Sequence, residues 1–185
     1  MALGGQRPAP GAPSAADGRT VSEGGCLLAA RDPRAEWILD RWGSQTSTAV
    51  HLGVGVARRR GGQVIPVLLD ADRRDLDDLM HALLAIVRRA RAGRLQQSDL
   101  GHPTFTVTSL GELGVQTVFP AIVPPQVGGV GFGKVVEQPS AVAGTIVCSP
   151  VVTATLAADQ RVVDGHRGAR FLTAIERRLQ EPETL

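Results

Sequence analysis

With 185 residues, 43% of them hydrophobic, the chain has the length of one domain and enough apolar side chains for a sizeable core. A net charge of +2 leaves no electrostatic footprint for nucleic acid, and 3% aromatics without tyrosine leave no base-stacking surface. No apolar run reaches membrane-spanning length, no secretory leader is visible, and the isolated Cys26 and Cys148 lack metal-site or disulfide spacing, so a cytoplasmic protein with neither metal nor membrane partner is expected.

Residues 1–31, rich in Gly, Ala, Pro and Ser, predict a disordered tail. Asp32-Pro33 then supplies a helix cap with proline at the first helical position, and Gly43 a stop. A short amphipathic helix bearing Trp37, Ile38 and Trp42 is expected between them, followed by a linker to residue 47. From Ala49 the period changes. Val50, Leu52, Val54 and Val56 alternate with His51, Gly53 and Gly55, as in a half-buried strand. Arg58-Arg59-Arg60 beside Gly61-Gly62 reads as a decorated hairpin turn rather than a phosphate site, with Gln63–Leu69 as the return strand. Acidic residues from Asp72 to Asp75 open a helix. Its stripe of Leu76, Leu79, Met80, Leu83, Val87 and Ala90 recurs at helical spacing until Gly93, and His81 within it is expected half buried.

Thr104–Thr108 alternates as a strand, a glycine-rich loop runs from Leu110 to Gly114, and Pro120, Pro124 and Pro125 punctuate the next connection. Val127–Val136 reads as a strand threaded with glycine. Thr145–Ala157 reads as a β-rich run interrupted by Pro150, with Cys148 as a small core residue. Gly165 opens a last helix whose apolar positions are Phe171, Leu172, Ile175 and Leu179. The order strand, strand, helix, three strands, helix predicts a mixed sheet covered by helices, of the α/β (α+β two-layer) class.

Several segments together resemble one family. Gly53-Val54-Gly55-Val56-Ala57 followed by Gln63-Val64-Ile65-Pro66-Val67 is similar to an "IGVAV…GLVVPVI" hairpin, and Arg88–Leu95 to a helix end "LAERAREGKL". Phe105–Gly111 is similar to "FTISNLG", Ala121–Gln126 to "AIINPPQ", and Asp159-Gln160-Arg161-Val162-Val163-Asp164-Gly165 to "DHRVVDG". These are segments of the 2-oxoacid dehydrogenase acyltransferase (E2) catalytic domain, and the resemblance runs from about Thr48 to the C-terminus. It implies a chloramphenicol acetyltransferase-like fold, usually trimeric, with sites between subunits and a coenzyme A thioester as co-substrate. Residues 48–185 then form a partial E2-type catalytic domain. The family's segment before the hairpin is longer than the one here, and its lipoyl domain has no counterpart, so no covalently attached lipoyl group is expected.

Three residues match catalytic positions of that family. Thr108 falls on the hydroxyl that hydrogen-bonds the oxyanion, usually a serine; it also alternates along a strand with Thr106. Asp164 falls on the aspartate that shapes the histidine loop and also reads as the cap of the last helix. Gln160 stands where the family has its general-base histidine. Imidazole titrates near neutral pH, whereas a carboxamide hydrogen-bonds without carrying a proton between states. His166 lies within the last helix, so replacing the base from there would need a rebuilt loop, and His51, His81 and His102 have no triad spacing. Two readings stay open. One is an acyltransferase moving an acyl, expectedly acetyl, group from a thioester to a small-molecule acceptor, as in natural-product biosynthesis. The other is a non-catalytic scaffold or partner subunit, in a homotrimer or beside an E2-like paralogue, completing the paralogue's site.

Overall fold

The computed structural model describes residues 37–40, 43–58 and 61–180. The expected tail over residues 1–31 lies outside them.

Strands β1 (Trp37–Asp40) and β2 (Gly43–Thr46) pair antiparallel, from Trp37 opposite Thr46 to Asp40 opposite Gly43. This corrects the helix expected over Asp32–Gly43, of which residues 32–36 and 41–42 are outside the described set. The physical reason is that Trp, Ile and Thr favour extended backbone, and a short apolar run fits either period until a ladder partner satisfies its amides.

The main sheet is built from β3 (Leu52–Ala57), β4 (Gln63–Val64), β5 (Val67–Leu68), β6 (Phe105–Ser109), β7 (Gly128–Phe132) and β10 (Ala154–Ala158), in the order β10-β7-β6-β3, with β4 and β5 both on the outer side of β3. Beta3, β6 and β7 run parallel; β10, β4 and β5 run antiparallel to their neighbours. The return strand expected over Gln63–Leu69 is thus split, with Pro66 between its halves, because proline donates no ladder hydrogen bond. Helix α1 (Leu76–Arg91) is capped by Asp75, whose side chain accepts from the Asp78 N–H. It buries Leu79, Leu83, Ile86 and Ala90 and packs on β3 and β5, while α2 (Gly165–Gln180) packs on β10. His81, by contrast, is exposed, with Nδ1 2.7 Å from the Asp77 carbonyl, which corrects its expected half-burial.

Strict alternation gives the sheet two unlike faces. Leu52, Val54, Phe105, Val107, Val130 and Phe132 form the core, where the Phe105 and Phe171 rings meet at 5.4 Å. Each such side chain, fully buried, contributes about 1.5–3 kcal/mol. The opposite face is almost bare. One row across it reads Gly53, Thr106, Gly129, Ala157; the next reads Gly55, Thr108, Gly131, Thr155.

A strap of residues 115–120 crosses the bare face of β7. Pro120 lies over Gly129, the Val118 carbonyl over Gly131 and the Gln116 carbonyl over Gly133. The Thr155 hydroxyl donates to the Val118 carbonyl, and the Lys134 N–H to the Val115 carbonyl at 2.7 Å.

Strands β8 (Val136–Val142) and β9 (Thr145–Val151) form a separate antiparallel arm turning at Ala143-Gly144, both with positive φ. The single run expected over Thr145–Ala157 is therefore two strands, and the strand expected over Val127–Val136 ends at Phe132. Cys148 is exposed on the arm, which corrects its core placement: a two-stranded ribbon has no second layer to bury it. Among the described residues no helix is long and apolar enough to cross a membrane.

Candidate functional site

Thr108 sits on β6 with glycine on both sides: Gly55 of β3 and Gly131 of β7. A Cβ on Gly55 would come within 2.8 Å of the Thr108 hydroxyl, so the missing side chain is what leaves room for it. Thr108 is 8% exposed, and among the described residues its hydroxyl has no hydrogen-bond partner. Thr106, on the same face, spends its hydroxyl on Gln126 Oε1 at 2.5 Å, and both residues are buried. Leaving a buried hydroxyl unpaired costs about 1–3 kcal/mol. Thr108 therefore holds a donor that none of the described residues uses.

Gln160 lies on an exposed turn after β10. The turn is anchored at its start by the Asp159 N–H, which donates to the Val127 carbonyl at 2.7 Å. The Asp159 carboxylate accepts from Arg161 Nε at 3.0 Å, Nη2 at 2.6 Å and the Arg161 N–H at 3.0 Å. The guanidinium bonds, then the backbone N–H, hold the carboxyl at about 2, below its ordinary value of 3.8. At its end Asp164 caps α2: its Oδ1 accepts from the Arg167 N–H at 2.7 Å and its carbonyl from the Gly168 N–H at 2.9 Å. The capping role expected of Asp164 is met.

The register keeps Thr108 and Gln160 apart within one chain. Thr155 is level with Thr108, two strands away, and Ala158 lies three residues further along β10. At about 3.3 Å per residue and 4.8 Å per strand, Ala158 is already roughly 14 Å from Thr108, with Gln160 beyond it. The chain thus brings Gln160 and Asp164 to one turn and places Thr108 elsewhere on the sheet.

The histidines do not fill the gap. His51 Nδ1 accepts from the Asp70 N–H at 3.2 Å, and His102 and His166 are exposed. Among the described residues no group of three His, Cys, Asp or Glu side chains is placed to hold a metal ion. Sequence reasoning missed Gln126 as the partner of Thr106, and the strap seat made by Gly129, Gly131 and Gly133. Their spacing of two, along β7 and one residue past its end, was the available signal.

The comparisons agree with this geometry. The family described as 2-oxoacid dehydrogenases acyltransferase (catalytic domain) matches residues 34–185. The lipoamide acyltransferase component of the branched-chain alpha-keto acid dehydrogenase complex of Pseudomonas aeruginosa is 36% identical over 159 residues, 86% of this chain and 36% of the relative. The chain therefore spans about a third of the length of that relative. The dihydrolipoamide acetyltransferase of Azotobacter vinelandii superposes with a TM-score of 0.74 at 25% identity, covering 86% of this chain and 66% of that one. That enzyme was studied for the catalytic role of a serine and of a histidine and an asparagine four positions apart, the spacing of Gln160 and Asp164. A chloramphenicol acetyltransferase, at 13% identity and a TM-score of 0.53 over 85% of this chain and 74% of that one, shares the fold. A mixed sheet with one bare face, a hydroxyl held on it and the Asp159–Gly165 turn at its far end are thus joined to a match over most of the chain, and the chain belongs to the 2-oxoacid dehydrogenase acyltransferase (E2) catalytic-domain family.

Proposed function

We propose that this chain is an E2-type acyltransferase domain that moves an acyl group, acetyl in the simplest case, from a coenzyme A or other thioester to a small-molecule acceptor. The carrying observation is the buried Thr108 hydroxyl on the glycine-lined face, without a hydrogen-bond partner among the described residues. The acceptor's lone pair adds to the thioester carbonyl, whose π electrons move to oxygen; Thr108 donates to that oxyanion. The intermediate collapses by breaking the carbon–sulfur bond, and the acceptor's proton ends on the departing thiol or in solvent. Gln160 orients the acceptor without taking its proton, and Asp164 holds the turn. Because Thr108 and Gln160 of one chain lie far apart, the site is shared between copies, in a homotrimer or a hetero-oligomer.

A missing general base lowers turnover by about 10²–10⁴-fold. An acceptor thiol with a pKa near 8.5 is about 3% ionised at pH 7 and about 75% at pH 9, so raising the pH replaces part of the lost function. The test is acetyl transfer from acetyl-CoA to dihydrolipoamide. The wild type is expected to be slow at pH 7 and roughly 25-fold faster at pH 9. Gln160→His is expected to raise the pH 7 rate by about 10²–10⁴-fold, and Thr108→Ala to abolish transfer in both backgrounds. A Gln160→His variant without gain and a Thr108→Ala variant without loss would refute the reading.

A second reading is favoured by the carboxamide at position 160: the chain lends its Thr108 to a histidine-bearing paralogue. Mixing the chain with such a paralogue then restores transfer that Thr108→Ala, in this chain alone, removes.

A further inference from the structure

The place beside Thr108 is shared with a second polar side chain. On β3, the point a Cβ would occupy on Gly55 is under 3.0 Å from the Thr108 hydroxyl and also under 3.0 Å from the Gln63 amide nitrogen, Nε2. Twice that radius is the upper limit of the distance between them. Gln63 reaches this point from β4, whose Gln63 pairs with Ala57 and Val64 with Val56. Its side chain is exposed, and among the described residues it makes no side-chain hydrogen bond, as the Thr108 hydroxyl makes none. Two donors of different chemistry thus converge over one glycine, one nearly buried and the other exposed. The hairpin pattern quoted for the family carries leucine at this position, which has no donor.

We infer that Gln63 is a further catalytic residue, its carboxamide N–H donating, together with Thr108, to the oxyanion of a tetrahedral acyl intermediate. The inference rests on the acyl-transfer reading. A neutral amide donor stabilises developing negative charge without itself titrating, so its help is independent of pH across the neutral range. It also acts on the half of the reaction that Gln160 leaves untouched: the intermediate is favoured even though no base assists its formation. A side chain at Gly55 would crowd both donors, and the flexible Gln63 carboxamide would be the one to move away.

Two ligands test this on the chain by titration calorimetry. One is the trifluoromethyl ketone analogue of acetyl-CoA, which hydrates to a neutral tetrahedral gem-diol whose oxygen can accept hydrogen bonds where the oxyanion would sit. The other is the corresponding methyl ketone, which stays planar. The wild type is expected to prefer the tetrahedral ligand, and Gln63→Met, of similar length without a donor, to reduce that preference by about 10-fold or more while leaving the planar ligand's affinity unchanged. Gln63→Glu is expected to reduce it at least as much, since an ionised carboxylate has no donor to offer that oxygen. Should Gln63→Met fold poorly by circular dichroism, Gln63→Leu takes its place. If Thr108→Ala lowers the preference and neither Gln63 variant does, the inference is overturned and the acyl-transfer reading stands. If the wild type shows no preference, or binds neither ligand, both fall.

Discussion

Replacing Gly131 with alanine tests how closely the strap is seated. The added Cβ would lie 2.5 Å from the Val118 carbonyl oxygen, 2.9 Å from Val118 Cγ1 and 3.0 Å from the Thr155 hydroxyl. None of the three is the far end of a flexible side chain, so the strap itself must lift by about 0.9 Å to reach ordinary contact distance. Overpacking of this kind costs about 1–3 kcal/mol, and breaking the Thr155–Val118 hydrogen bond about 0.5–1.5 more, for a total of roughly 2–4 kcal/mol. In urea, with an m value of about 2 kcal/mol/M, the midpoint falls by about 1–2 M at unchanged slope. Gly165→Ala is the control. Nothing lies within 4 Å of its Cβ position, and alanine at the start of a helix is neutral or stabilising by up to about 1 kcal/mol. A Gly131→Ala midpoint within about 0.3 M of wild type would refute the seating argument.

Asp99 is 5% exposed and accepts from Arg89 Nε at 2.9 Å, Arg89 Nη2 at 2.6 Å and the Gln96 N–H at 2.9 Å. Asp99→Ala is expected to cost about 2–4 kcal/mol, less than a fully buried pair because the Arg89 side chain is 36% exposed. The Arg89 bonds, opposed by burial, hold the Asp99 carboxyl below its ordinary value. Its folded-state pKa being depressed, the stability it adds is present above its unfolded value near 3.9 and is lost as pH falls through the folded value. Urea midpoints between pH 7 and pH 3 should therefore fall more steeply in wild type than in Asp99→Ala, and parallel slopes would contradict this. Asp164→Ala removes the cap on α2 and should lower stability by about 1 kcal/mol, or about 2–4 °C in Tm. A drop of 10 °C would mean that Asp164 braces more than the helix end.

Where side chains face a packed layer, the sequence was readable. The alternation through Val54 and Val56 and the stripe of Leu79, Leu83 and Ala90 are consequences of burial against a partner, and both stand in the fold. The Asp164 cap was readable too, because capping is local chemistry. What escaped was set by long-range pairing. Trp37–Asp40 becomes a strand through its ladder with Gly43–Thr46. Cys148 lies among apolar neighbours yet on an arm with nothing behind it; Ile146 beside it is 77% exposed. At the candidate site, Thr108 was found through the motif around it. Gln63 was not, since its meeting with Thr108 depends on the absence of a side chain at Gly55, a third strand position.

The strap is fastened by its own main chain, through carbonyls seated on glycines, while Phe119 points outward at 79% exposure and Thr117 is likewise exposed. Anchorage and outward character are thereby decoupled. Mutation can repaint the exterior of this segment, residue by residue, without loosening the floor beneath it, so diversification of what the domain meets on that side need not disturb the neighbouring threonine.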